Sequence, residues 1–223
     1  MERMESMDAL RGLAIIVMFL DHVLFLSPNS SFDPFSPRFF TRIAEPIFAV
    51  LVGYFLIGRE NNKMLFRLLE ILAVAFFVNV FFYALLGKFD ILASLALSYL
   101  AYFALRDRIV LLLPAFVLFS LDPTLQLLDY PLSLVLSQVA LGAAIRKGLG
   151  PLLLFAFLLA PLFVPAPYSY VALFTIAAGF LVLLAQKYRD IKVPLASQIG
   201  KKPLLYYVAQ YILAGIVALI IYK

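Results

Sequence analysis

Residues 1–23 read MERMESMDALRGLAIIVMFLDHV. From Asp8 the run is apolar enough for a membrane helix, yet it carries Asp8, Arg11, Asp21 and His22. His22 is the only histidine in 223 residues. Ionisable groups inside a bilayer are costly, and those that persist mark a site or a buried partner. If this stretch spans a membrane, the rest of the chain must be read in lipid and its few polar side chains become the candidates for function.

Composition supports that reading. Hydrophobic residues make up 65% of the chain and charged ones 14%, with a mean hydropathy of +1.02. Soluble domains run nearer half apolar and a quarter charged. Glu2, Arg3 and Glu5 precede the first run, and no small-residue cleavage site follows it, so it is expected to remain as a span rather than be removed as a signal. No cysteine is present, which excludes disulfides and thiolate metal or redox sites. With one histidine as well, zinc chemistry is not expected and no metal is assigned.

A helix needs about 20 residues to cross roughly 30 Å of hydrocarbon. Breaking the apolar runs at charges and prolines gives nine segments: 8–27, 39–58, 64–86, 90–105, 108–121, 131–146, 149–163, 168–187 and 203–222. They are continuously apolar rather than alternating, which argues against a β-barrel. The expected fold is all-α, one polytopic transmembrane helix bundle spanning residues 1–223, with no internal repeat. The fourth, fifth and seventh segments are short for spans.

Lys and Arg set the orientation. With the N-terminus in the cytoplasm, the inner segments hold Arg3, Arg11, Arg59, Lys63, Arg67, Arg106, Arg108, Arg146, Lys147, Lys187, Arg189, Lys192, Lys201 and Lys202. The outer ones hold Arg38, Arg42, Lys88 and Lys223, so the division is fourteen against four. The C-terminus then lies outside, and the expected location is the cell membrane, multi-pass. This distribution accounts for the net charge of +5 without a nucleic-acid partner.

Within the first segment, Asp8, Arg11, Ile15, Met18 and His22 fall in a stripe roughly 80° wide at 100° per residue. His22 stands about 16 Å beyond Arg11. Asp21 points about 100° away, so the two neighbours cannot form a local dyad. In the second segment Arg42 and Glu45 are three apart and can share a face, with Pro46 just after them. Glu45 is expected near the depth of His22, where a carboxylate would fix the imidazole tautomer and stabilise its charged form. The plainer alternatives are an interhelical hydrogen bond for His22 and an internal Arg42–Glu45 ion pair.

Other polar positions are weaker. Asn79 and Tyr83 are one turn apart, and Asp90, Ser94 and Ser98 recur every four residues. Ser133, Ser137 and Gln138 mark the sixth segment, and Tyr206, Tyr207 and Gln210 the ninth. Such residues commonly serve as glue between helices. The basic segments 59–67 and 187–202 are topology anchors that could also hold an anionic cytosolic ligand or lipid head groups.

The run SMDALRGLAIIVMFLDH resembles the first-helix signature of a membrane acyltransferase superfamily. That superfamily includes the acyltransferase-3 proteins, the heparan-glucosaminide acetyltransferases and the TraX family. RIAEPIFAVLVGYFLIGRENNKMLFRLLEILAV and KFDILASLALSYLAYF are most similar to TraX proteins, and the likeness covers about the first half of the chain. The resemblance implies transfer of an acyl group, such as acetyl, from acyl-CoA to a hydroxyl or amine. His22 matches the first-helix histidine, Asp8 and Arg11 the D-x-x-R pair, and Arg42 the second-helix arginine. Two positions depart from the pattern: Glu45 stands where TraX-like sequences are usually apolar, and Gln210 where such families often carry histidine. The second departure leaves altered or lost activity as an alternative.

The combined expectation is an acyltransferase whose His22 acts as general base or transient acyl carrier, with Glu45 orienting it. Arg11, Arg59, Arg67, Lys201 and Lys202 would form a basic mouth for CoA phosphates. Tyr83, Asn79 or Gln210 would donate to the thioester oxygen. The acceptor, whether lipid, sugar or peptide amine, is not identified, and a homo-oligomer stays open. A small transporter or flippase would also want intramembrane charge, and a non-catalytic scaffold would need only packing.

Overall fold

Among the described residues, every proline inside an α-helix lies in its first turn, whereas Pro114 and Pro161 lie within two long 3₁₀ helices. Proline lacks an N–H and clashes with the carbonyl four residues back, so an α-helix tolerates it only at its start. The computed structural model describes residues 4–27 and 33–221, and every element among them is helical. In order they are α1 (Glu5–Phe25), α2 (Pro37–Thr41), α3 (Ala44–Leu56), α4 (Asn61–Leu86), α5 (Ile91–Leu105) and the 3₁₀ helix η1 (Arg106–Leu121). Then follow α6 (Leu132–Arg146), α7 (Gly150–Leu153), the 3₁₀ helix η2 (Leu154–Leu162), α8 (Tyr168–Lys187), α9 (Pro194–Lys201) and α10 (Pro203–Ile221).

Each of the nine expected segments is helical, and α9 is an addition within what reads in sequence as a basic loop. Four helical stretches are long and apolar enough to cross a membrane: Pro37–Leu56, Asn61–Ala84, Tyr168–Lys187 and Pro203–Ile221. This is fewer than nine. α1 is long enough, but Glu5, Asp8, Arg11 and Asp21 interrupt it. The others are short. Arg3 and Lys223, used in the orientation argument, lie outside the described residues. Outward faces are apolar: Leu152 is 85% exposed, Leu121 78% and Phe76 76%. Surfaces of that kind suit contact with lipid better than with water.

The chain packs as two compact units, the first from residues 1–48 and 180–223 and the second from 49–179. In the first unit α1 packs on α9 and α10. A Cβ on Gly12 would overlap the Ala196 carbonyl oxygen, and one on Gly200 would overlap that of Asp8. Small residues at such crossings let backbones touch, the usual device where lipid supplies no hydrophobic drive between helices. Ser6 adds a tether, its Oγ donating to the Ala185 carbonyl at 2.6 Å.

The second unit repeats the device. Gly53 of α3 meets the Val139 carbonyl of α6, and Gly142 meets that of Val50. Beside this crossing Arg146 donates to the Tyr54 hydroxyl at 3.0 Å and its guanidinium lies 5.1 Å over the same ring. η1 packs on α6 with Ile109, Leu113, Phe116 and Phe119 buried, close to the period of three that 3₁₀ winding gives. Ser137 of α6 accepts from the Phe116 N–H at 2.8 Å, two residues beyond Pro114. The serine stripes are thus structural. Ser94 Oγ donates to the Tyr130 carbonyl and Ser98 Oγ to that of Ser94, while Asp90 caps α5 by accepting from the Leu92 N–H.

Candidate functional site

The expected stripe along α1 is served by two neighbours. At its first turns Arg11 donates to Asp8 Oδ1 at 3.1 Å and to the Gly200 carbonyl at 3.0 Å. The D-x-x-R pair therefore clamps α1 to α9. Farther along, Met18 and His22 face α10. Gln210 is buried, and its Nε2 donates to Met18 Sδ at 3.2 Å, while the His22 and Tyr211 rings lie 4.5 Å apart, tilted by 41°. Sulfur is a weak acceptor. Gln210 Oε1 and His22 Nδ1 are both buried and have no hydrogen-bond partner among the described residues. Two under-satisfied polar groups thus occur where α1 meets α10, and orphaned buried groups of this kind call for an explanation in function.

Asp21 faces elsewhere, as its angular offset from His22 requires. It is buried and accepts from Thr41 Oγ1 at 2.6 Å, with Arg38 Nε at 3.8 Å and Arg42 Nε at 3.7 Å. One carboxylate on α1 thus gathers two guanidiniums from α2 and the turn that follows it. Arg38 also lies 4.5 Å over the Phe25 ring. The sequence reading missed this cluster by considering Arg42 only with its near neighbour Glu45. The signal was present in the basic pair Arg38 and Arg42 facing the one carboxylate of α1 beyond Arg11.

Glu45 is 2% exposed in the first turn of α3, where the helix dipole favours a carboxylate. His22 Nδ1 makes no hydrogen bond to Glu45 or to any other described residue, and the ring packs on Tyr211. The charges around His22 come instead from Asp21, Arg38 and Arg42.

The residues of the expected basic mouth belong to both units. In the first unit Lys201 Nζ lies 3.8 Å from Glu5, Lys202 is exposed, and Arg11 is engaged in the clamp. In the second unit Arg67 pairs with Glu70 at 2.8 Å, and Arg59 is half-buried after the left-handed Gly58. Asn79 and Tyr83 also belong to the second unit. Asn79 Oδ1 accepts from the Asp90 N–H at 2.6 Å, and Tyr83 stacks on Phe89 at 5.0 Å. Both line an apolar groove of about 770 Å³. Of the three expected thioester donors, Gln210 sits at the α1–α10 contact.

The fold and this polar seam describe an all-α protein with helices able to cross a membrane. No family model matches the chain, and no curated protein or solved structure matches it either.

Proposed function

We propose that this chain is an integral membrane acyltransferase that moves an acyl group from acyl-CoA to a hydroxyl or amine, with His22 as its base. The observation that carries the reading is the sole imidazole of the chain, on α1, with a buried Nδ1 that has no hydrogen-bond partner among the described residues. An acceptor O–H or N–H would supply the missing hydrogen bond. His22 takes that proton as the acceptor oxygen or nitrogen attacks the thioester carbonyl. The C–S bond then breaks, and the imidazolium returns the proton to the departing thiolate. Gln210 Nε2, resting on the weak sulfur acceptor of Met18 on the same helix as His22, would serve as a donor for the negative charge that develops on the carbonyl oxygen. Lys201 and Lys202 are the basic groups of the first unit that would meet CoA phosphates.

All nine segments are taken as crossing the membrane, with the N-terminus inside and the C-terminus outside, on the distribution of Lys and Arg. Winding relieves one short segment: the sixteen residues of η1 extend about 32 Å as a 3₁₀ helix against about 24 Å as an α-helix.

The test is CoA release from acetyl-CoA by the full chain in liposomes, with and without candidate acceptors. His22→Ala and His22→Gln should lower turnover by about 100-fold or more. Turnover unchanged in both variants would refute the assignment, because the chain contains no other histidine and no cysteine.

A further inference from the structure

The groove in the second unit lies between α4, α5 and the turn 124–128. Its volume, about 770 Å³, is in the range of pockets that hold a small molecule. Its walls are alkyl and aromatic, and small side chains at Ala84, Ala93 and Ala96 give it depth. Along α4 it runs from Leu72 to Ala84, about 18 Å of helix, close to the depth of one leaflet in a core of about 30 Å.

Two hydrogen-bond donors stand inside this apolar channel. Asn79 spends its Oδ1 on the Asp90 N–H, and its carboxamide nitrogen has no partner among the described residues. Tyr83 packs its ring on Phe89, and its hydroxyl has none either. Water is scarce at membrane depth, so such donors seek an acceptor from the occupant. One residue beyond the left-handed Gly87 that ends α4 is Lys88, next in the chain to the groove residue Phe89. Its ammonium lies 3.5 Å from the Tyr168 hydroxyl, and no carboxylate among the described residues pairs with it.

From the end of α4 inward, the order is a cation, two neutral donors and an alkyl trough. That order follows a phospholipid from phosphate through ester to chain. We propose that the groove binds one acyl chain of an anionic glycerophospholipid, with Tyr83 and Asn79 donating to its ester carbonyls and Lys88 Nζ meeting its phosphate. This site does not depend on the acyl-transfer reading.

The experiment is native mass spectrometry of the detergent-purified full chain. It would be titrated with dioleoyl phosphatidylglycerol, dioleoyl phosphatidylcholine and inorganic phosphate. A saturable phosphatidylglycerol adduct is expected, with phosphatidylcholine bound several-fold more weakly. Lys88→Gln should lower phosphatidylglycerol affinity about fivefold and remove the preference. Tyr83→Phe should weaken both lipids. Ala93→Phe and Ala84→Phe fill the trough from opposite walls and should abolish the adduct, with the melting temperature as the fold control. If one of them fails to fold, the other decides. Wild-type affinity in a folded filling variant, or equal binding of the two lipids by the unaltered protein, overturns the proposal. Displacement of phosphatidylglycerol by inorganic phosphate alone would reduce the site to an anion site and overturn the chain assignment.

Discussion

Gly12 of α1 and Ala196 of α9 meet backbone to backbone, with no room for a methyl group between them. Gly200 answers Asp8 in the same way one turn along. Gly12→Ala or Gly200→Ala must part the helices and break the Arg11–Gly200 hydrogen bond. Each should cost about 1–3 kcal/mol, the range for overpacking. Gly215→Ala is the control, since nothing lies within 4 Å of its added carbon and alanine favours the helix. Melting temperatures in detergent should fall for the first two and hold or rise for the third.

Asp21 offers a second test. Its carboxylate, with Arg38, Arg42 and Thr41 around it, is close to fully enclosed. Asp21→Asn leaves two guanidiniums without that carboxylate and should cost up to about 3–5 kcal/mol, less whatever solvent reaches the pair. Thr41→Val removes one hydrogen bond to a charged group and should cost about 1.5–3 kcal/mol. The double variant should lose less than the sum of the two, because they share a partner.

Ser137 holds η1 at its proline. Ser137→Ala orphans the Phe116 N–H in a dry contact and should destabilise by about 1–3 kcal/mol. Ser137→Thr keeps the oxygen and should recover part of that loss. Thermal melting of the three proteins side by side checks it.

The corner after η1 carries a pH dependence. Burial pushes the Asp122 carboxyl upward, but hydrogen bonds from Thr124 and Ser133 outweigh it and hold the group below its ordinary 3.8. A depressed carboxyl adds stability that is complete above the unfolded value and is lost as pH falls through the folded one. Between pH 5 and pH 3 the unaltered protein should therefore lose stability that Asp122→Asn does not lose. Melting temperature against pH distinguishes the two.

The positions of the helices were legible because apolar runs bounded by charge and proline leave few other readings. Their winding was not. A period of 3.0 and one of 3.6 cannot be separated in runs as uniformly apolar as 109–121 and 152–163, and only Pro114 and Pro161 hinted at the difference. α9 was hidden by Lys192, Lys201 and Lys202, although Ala196 and Gly200 carry the spacing of a close crossing. Helical spacing puts Asp8 to His22 in one stripe of α1, but its partners come from residues far along the chain. Sequence spacing could join Arg42 to Glu45; it could not bring Arg42 to Asp21.

On the proposed nine-span topology, the winding of η1 would decide how thick a bilayer that segment can cross. Sixteen residues rewound as an α-helix would be about 8 Å shorter. The hydrophobic thickness the segment matches is therefore set by its hydrogen-bond register as well as by its residue count. A membrane differing by a few ångströms imposes a mismatch that a helix ordinarily answers by tilting. Here the same strain bears on the turn around Pro114, which Ser137 holds in place.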